Sequence, residues 1–308
     1  MLNNKLIAVL IPCLNEEITI KKVIENFKHE LPHASIYVYD NNSTDNTYNV
    51  AKSNGAIVRK ELNKGKGNVV LRMFGEIDAD YYILVDGDDT YPATSAKQLL
   101  DTLYKNNAGM VVGDRLSNKS YSIENKRKFH NFGNNLIKKI INVLFKANLN
   151  DILSGYRVFS KPFVKNYSSL ATGFELETDL TLFALHYDLP IIDVPIHYKD
   201  RPTGSNSKLN TYKDAVRILQ TIFNLFRFYN PLYFFSISAL IIFLIGLVLG
   251  IFPIYEYIKF QYVYKVPTAI LALGLVILSF LSLSCGLILD SIMKVDKNNI
   301  KMRIRNFK

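Results

Sequence analysis

The sequence predicts an α/β fold: a mostly parallel sheet flanked by helices, followed by an amphipathic interfacial helix and a two-helix transmembrane hairpin. Three observations predict it. Short apolar runs alternate with helical periodicity through the first third of the chain, as βα units do. The polar motifs NEE, DNNSTD and DGDD each follow the end of such a run. Two long runs without a charged residue, 231–252 and 266–289, lie near the C-terminus.

The elements follow in order. Leu6 to Ile11 is a continuous apolar run ended by Pro12, as expected of a strand buried on both faces. Glu17 to His29 has helical spacing, and Ile36 to Tyr39 reads as a second strand. The turn-rich DNNSTD leads into a helix reaching about Asn54, and Ala56 to Arg59 reads as a third strand. The glycine-rich basic loop Asn63 to Asn68 precedes another helix. Tyr81 to Val85 is the fourth strand, Thr94 to Asn107 a helix and Met110 to Val112 a fifth strand. In a parallel sheet, ligands bind outside the carboxyl ends of the strands, so the three polar motifs converge on one crevice.

Domain boundaries are expected at 1–206 for the α/β domain, 207–230 for the juxtamembrane helix, 231–289 for the two spans and 290–308 for a basic tail. Each uncharged run exceeds the roughly 20 residues that cross a hydrocarbon core of about 30 Å. In the juxtamembrane segment Val216, Leu219, Ile222, Phe223 and Phe226 oppose Lys213, Arg217 and Arg227. It lies on a bilayer or packs on the catalytic core; both fit the pattern. The tail carries six basic residues against two acidic, a net of +4, and the segment between the spans a net of +1. By the positive-inside rule both ends face the cytoplasm, which makes a multi-pass protein of the cytoplasmic (inner) membrane. The N-terminal apolar run is too short, and too soon followed by Glu16 and Glu17, for a signal peptide.

The net charge of +10 leaves only +5 for residues 1–230, which suits phosphate-bearing substrates and anionic headgroups and excludes nucleic acid as the partner. The two cysteines, Cys13 and Cys285, do not form a disulfide framework, and the five histidines lack metal-ligand spacing.

Asp86 and Asp88 flank Gly87 at the end of a buried strand. Close carboxylates suit a hard divalent cation, Mg²⁺ or Mn²⁺, whose other ligands come from a nucleotide diphosphate. Such a cation offsets charge on a departing diphosphate. Asp89 reads as a turn or capping residue. Asp40 can accept a hydrogen bond from a nucleobase edge, while Ser43, Thr44 and Asp45 suit a helix N-cap. Glu16 is within reach of the same ligand, or is a first-turn acid favoured by the helix dipole. Lys64 and Lys66 sit on a glycine-rich backbone that is neither a Walker A loop nor a dinucleotide fingerprint.

IPCLNEE, YDNNSTDNT, NKGKGN, DGDDTYP, VVGDR, SGYRVFSK, GFELETD and PIHYKDRPTGSNSKL occur in this order. Together they resemble family 2 of the inverting glycosyltransferases, which have the GT-A fold. Within it the chain resembles the dolichol-phosphate mannose synthase group and, more closely, bacterial polyprenyl-phosphate glycosyltransferases with two C-terminal spans. The resemblance covers about residues 5–290. It implies that Pro12, Leu14, Glu16, Asp40 and Asn41 line the nucleotide pocket, with Lys66 near the diphosphate. Asn41 stands where a second Asp is commoner, so base preference stays open. It implies that Asp86 and Asp88 hold the metal, with Asp88 and Asp151 as the catalytic carboxylates. Thr90 stands where relatives offer a further ligand. Glu175 and Glu177 are expected on the sugar. Arg115 and Arg127, with Arg201, Ser205 and Lys208, are expected on the lipid phosphate, since an arginine fork binds phosphate bidentately. Asp151 acts as a base or orients acceptor or sugar, for a phosphate acceptor is already ionised near neutral pH.

The expected activity is transfer of a single sugar, from UDP-glucose or UDP-N-acetylglucosamine, to polyprenyl phosphate of undecaprenyl or dolichyl type. The partners are then the nucleotide diphosphate sugar, the polyprenyl phosphate, the lipid bilayer and a second copy of the chain in a homo-oligomer. GDP-mannose is the alternative donor, and a catalytically idle nucleotide-sugar-binding scaffold the alternative class. A processive polysaccharide synthase would carry a Gln-x-x-Arg-Trp motif, and this chain has no tryptophan.

Overall fold

The computed structural model describes residues 5–117, 138–143, 145, 147–168, 175–200, 220, 223–224 and 226–307. The chain divides into two compact units, Met1–Thr221 with Met302–Lys308, and Ile222–Lys301.

In the first unit the order is β1 (Ile7–Cys13), α1 (Ile20–Glu30), β2 (Ser35–Asp40), α2 (Thr47–Ser53), β3 (Ile57–Lys60), α3 (Lys66–Glu76), β4 (Tyr81–Leu84), α4 (Ala96–Lys105), β5 (Met110–Asp114), β6 (Arg157–Ser160), α5 (Lys161–Asn166), α6 (Leu176–His186) and β7 (Ile191–Pro195). The strands form one sheet in the order β3-β2-β1-β4-β6-β5-β7. All pairings are parallel except those of β6, which runs antiparallel between β4 and β5.

Helix α1 packs Ile20, Val23, Ile24 and Phe27 inward, and α4 packs Ala96, Leu99, Leu100 and Leu103. That i, i+3, i+4, i+7 spacing is the signature of a helix lying on a sheet. The expected helix from Thr94 to Asn107 is shorter, because Ala93–Ser95 forms a 3₁₀ turn before it.

Strand β1 runs two residues beyond the expected end at Ile11, through Pro12 to Cys13. Parity explains why proline is tolerated. Leu10 O accepts from Val85 N on the β4 side, and Cys13 O from Asn41 N on the β2 side. Pro12 shares the parity of Leu10, so its missing N–H faces the β4 side, past Leu10↔Leu84, where that pairing ends.

The reversed β6 positions the site. Its first residue, Arg157, lies opposite Leu84 and Val112. The residues just before it therefore sit at the edge where β4 and β5 end, facing the loops that leave the parallel strands.

In the second unit α7 (Pro231–Phe260) and α8 (Val266–Asn306) are both long and apolar enough to cross a membrane. At about 1.5 Å per residue they span roughly 45 and 60 Å. The residues 290–306 continue the second helix. Buried positions recur every seven residues: Ala239, Gly246 and Pro253 on α7, and Ala272, Ser279 and Gly286 on α8. Small residues at that period let two helices approach closely. A Cβ on Gly246 would lie 3.2 Å from Leu275 Cβ, and one on Gly286 2.8 Å from Phe235 Cβ. Of the juxtamembrane segment, residues 220, 223–224 and 226–229 are helical and Asn230 is the N-cap of α7; the rest lies outside the described residues.

Candidate active site

Four loops leave the carboxyl edge of the sheet, and each turns on a residue with positive φ: Asn15 (54°) after β1, Asn42 (62°) after β2, Gly65 (122°) after β3 and Asp89 (58°) after β4. Asn and Asp tolerate the left-handed region better than other side chains. The motifs thus carry these residues partly for their backbone.

The loops after β1 and β2 are joined. Glu16 N donates to Thr47 Oγ1 (2.8 Å), Glu17 N to Asp45 Oδ2 (3.2 Å), Thr44 N to Asn15 Oδ1 (2.7 Å) and Asn46 N to Glu17 Oε2 (2.7 Å). Asp45 Oδ1 also accepts from Thr47 N (3.0 Å), a local turn bond; the N-cap of α2 is Asn46, one residue past the Ser43–Asp45 expected for it, and it makes no side-chain cap bond. Glu16 is buried. Asp40, the last residue of β2, is buried with Oδ1 unpartnered among the described residues. Buried carboxylate oxygens are normally satisfied, so this one can take a further donor. Asn41 is committed elsewhere: its amide donates to Glu61 O (3.0 Å) and Asn63 O (2.8 Å) and accepts from Gly65 N (2.8 Å). It shapes the basic loop, and its side chain is spent on backbone. Pro12 is half-buried and Leu14 exposed at the end of β1.

Lys66 opens α3 and reaches across the edge. Its Nζ lies 2.5 Å from Asp86 Oδ1 and 2.7 Å from Glu177 Oε1. Burial opposes its charge, but the two carboxylates more than offset that, and its pKa is raised. Asp88 is buried, and Thr90 donates to its Oδ1 through Oγ1 (2.6 Å) and N (3.2 Å). Thr90 thus orients Asp88. Asp89 pairs with Lys22 at 2.5 Å. Gly155, from the loop before β6, closes the other side: a Cβ there would lie 2.6 Å from Asp86 Oδ2 and 3.2 Å from Lys66 Nζ.

Among the described residues no three acidic, histidine or cysteine side chains converge as a metal site. Asp86 and Asp88 nevertheless fit a hard divalent cation that draws its remaining oxygen ligands from a bound diphosphate, since both are carboxylates at one strand end and Gly155 puts no side chain against Asp86.

Arg115 and Asp151 are brought together, to each other. Arg115 Nε donates to Oδ2 (2.7 Å), Nη2 to Oδ1 (2.9 Å) and the backbone N to Oδ2 (3.1 Å). Burial raises the Asp151 pKa, Arg115 lowers it, and the arginine wins, so the carboxyl stays below its usual range. The guanidinium lies 5.7 Å over the Tyr198 ring. Glu175 stands at the start of α6 and Glu177 in its first turn, and of the two it is Glu177 that meets Lys66. Arg127, Arg201, Ser205 and Lys208 lie outside the described residues.

Sequence reasoning missed Arg157, Gly155 and Tyr91. Arg157 is fully buried and donates to Ile152 O (2.5 Å), Ser154 O (2.9 Å) and Thr181 Oγ1 (2.9 Å), which pins the Asp151 loop. Tyr91 Oη accepts from Gly155 N (2.9 Å) and Arg115 Nη1 (3.4 Å). The only signal for the three was position: SGYR, which holds Gly155 and Arg157, before a strand, and TYP, which holds Tyr91, after the aspartates.

The sequence model of glycosyl transferase family 2 matches residues 8–168, just over half of the chain. The chain belongs to this family. AglJ, a glycosyltransferase of Haloferax volcanii, is 28% identical over 296 residues, 96% of this chain and 96% of its own length. A UDP-N-acetylglucosamine–dolichyl-phosphate N-acetylglucosaminyltransferase of Methanococcus voltae is 27% identical over 216 residues, 63% of this chain and 85% of its own length. Among solved structures, glucosyl-3-phosphoglycerate synthase of Mycobacterium tuberculosis with Mn²⁺, UDP and glucosyl-3-phosphoglycerate superposes with a TM-score of 0.59 at 19% identity, over 73% of this chain and 81% of that one. At that identity the likeness shows the fold, GT-A. In this family 2 glycosyltransferase the motifs NEE, DNNSTD and DGDD all lie at the carboxyl edge of the sheet.

Proposed function

We propose that the protein transfers one hexose or N-acetylhexosamine from a nucleotide diphosphate sugar to a polyprenyl phosphate, with inversion, at the cytoplasmic face of a membrane. The observation that carries this reading is the Asp86–Gly87–Asp88 turn, bounded by Lys66 and Gly155 at the edge where Asp40 presents a carboxylate oxygen that is unpartnered among the described residues. The dolichyl-phosphate relative supports the lipid acceptor and favours a UDP-sugar donor. The two apolar helices support delivery from a bilayer, with both termini cytoplasmic by the positive-inside rule.

On this reading Asp40 receives a nucleobase N–H and Asp86 and Asp88 hold Mg²⁺ or Mn²⁺. That cation, when bound, supplies positive charge where the leaving diphosphate gains negative charge. An oxygen of the lipid phosphate forms the new bond to the anomeric carbon, and the bond from that carbon to the diphosphate breaks, its electron pair leaving with the nucleotide. The acceptor oxygen is already ionised, so no base is required. Asp151, held below its usual pKa by Arg115, suits a positioning part and not proton abstraction.

The test incubates purified protein with Mn²⁺ or Mg²⁺, a short polyprenyl phosphate and radiolabelled UDP-glucose, UDP-N-acetylglucosamine or GDP-mannose in parallel. Label from a UDP-sugar is expected in the organic phase, and Asp88→Ala should abolish it. Label from GDP-mannose alone would replace the donor assignment. No transfer from any donor would end the enzymatic reading in favour of a binding scaffold.

A further inference from the structure

Tyr91 connects two parts of the site that the motifs treat as separate. It lies three residues beyond Asp88, on the donor-side turn. Its hydroxyl oxygen accepts from Gly155 N (2.9 Å), in the loop that carries Asp151, and from Arg115 Nη1 (3.4 Å), the residue clamped on Asp151. Gly155 in turn borders Asp86, with the space of one missing Cβ between them.

The hydroxyl inventory is decisive. A phenol has one proton to give and two lone pairs to receive with. Two N–H groups fill the lone pairs. Among the described residues no atom accepts the proton. The ring is fixed, buried and packed at 5.5 Å against Tyr156 and 5.7 Å against Tyr198, so the hydroxyl cannot swing to water at little cost. A buried donor without an acceptor is unfavourable unless a ligand completes it.

We propose that Tyr91 is a substrate-binding residue whose hydroxyl proton is donated to a phosphate oxygen of a reacting substrate, the nucleotide diphosphate or the lipid phosphate. The inference rests on the proposed transferase reading, from which it takes the substrates. The chemistry fits either source: both present anionic oxygens, and a hydrogen bond to a charged acceptor is stronger than a neutral one. Burial raises the phenol's pKa, so the proton is retained across the physiological range.

The experiment measures equilibrium binding, by calorimetry on the full chain in detergent, of UDP with Mn²⁺ and of a short polyprenyl phosphate, for wild type and Tyr91→Phe. One of the two dissociation constants should rise roughly tenfold or more while the other holds, the size expected of one charge-assisted hydrogen bond. The ligand that weakens identifies the source. Neither constant changing, or both changing equally, overturns the proposal, as does a wild type that binds neither ligand. Should Tyr91→Phe fail to fold, a fluorotyrosine at position 91 keeps the ring and both accepting lone pairs while making the phenol more acidic. The weakening of that same ligand should then set in at a lower pH than in wild type, and an unshifted profile overturns the proposal. Absence of sugar transfer by a wild type that binds both ligands would instead overturn the transferase reading and leave the Tyr91 result standing.

Discussion

Replacing Gly155 by alanine adds one carbon against Asp86 and Lys66. Gly155 is not among the positive-φ glycines, so alanine can adopt its backbone. The new Cβ would lie 2.6 Å from Asp86 Oδ2, 3.2 Å from Asp86 Cγ and 3.2 Å from Lys66 Nζ. Ordinary contact begins near 3.4 Å, so the carboxylate oxygen must retreat by about 0.8 Å. Asp86 is partly exposed and can give way, which keeps the penalty to the fold small. Alanine also narrows the unfolded ensemble by about 0.4–1 kcal/mol, so net stability should stay within about 1 kcal/mol and Tm within roughly 4 °C. Function should respond more strongly, because a displacement near 1 Å at a reacting site costs up to about a hundredfold. We expect kcat/KM for sugar transfer to fall between about 10- and 100-fold, with a matching loss of Mn²⁺ affinity by electron paramagnetic resonance. Gly75→Ala, on an exposed part of α3 with nothing within 4 Å, is the control and should leave both unchanged. Unaltered Mn²⁺ affinity and turnover in a folded Gly155→Ala protein would refute the idea that Asp86 binds the cation from its present position.

Tyr156→Phe removes a buried hydroxyl that has no partner among the described residues, and should stabilise the protein by about 1 kcal/mol in urea denaturation without loss of transfer. Asp193, at the far strand of the sheet, is pushed up to about 6, by burial first. The folded form therefore holds its proton more tightly than the unfolded form, and stability declines as pH rises from about 4 to about 6. Asp193→Asn should gain up to about 2 kcal/mol over wild type at pH 8, less than the full shift implies because the group is partly exposed, and nothing below about pH 4; equal stability of the two proteins at pH 8 would count against it. Chelating the divalent cation should weaken UDP binding at least tenfold, since Asp86, Asp88 and Glu177 outnumber Lys66 and a diphosphate adds further negative charge.

The sequence carried the first five strands because each is a short apolar run between turn residues, and the first four helices because each shows a buried stripe. It did not carry β6 or α6, for opposite reasons. β6 begins with Arg157, a charged residue buried in the middle of the sheet, which no apolar pattern announces. α6 is buried from Leu176 to Ala184 although that stretch includes Glu177, Thr178, Asp179 and Thr181, so its polar residues mark no exposed face and leave no period to detect. The site was legible in residue type more than in arrangement. Asp86, Asp88 and Asp40 stand at strand ends because strand ends are visible in sequence. That Asn41 spends its amide on the Glu61–Gly65 backbone depends on the loops after β2 and β3 lying side by side, and that Lys66 meets Glu177, 111 residues further along the chain, depends on α6 being in place.

The acceptor side shows why a motif residue can be expected for one task and be placed for another. A carboxylate beside an incoming phosphate would repel it, yet Asp151 lies at the same edge of the sheet as the Asp86–Gly87–Asp88 turn. Its bidentate pairing with Arg115 removes that difficulty, because the two together present no net charge. Arg115 is thereby held by three hydrogen bonds in one orientation, over the Tyr198 ring and against Tyr91. On the proposed reading Asp151 fixes the arginine and the arginine meets the phosphate, so the expected base and the expected phosphate ligand form one device. Asp151→Asn would then weaken the lipid phosphate more than the nucleotide, whereas a true base would lose turnover with both affinities intact. The low pKa that Arg115 imposes on Asp151 favours the first outcome: a carboxylate stabilised in its charged form is a poor acceptor of a proton that the substrate has already given up.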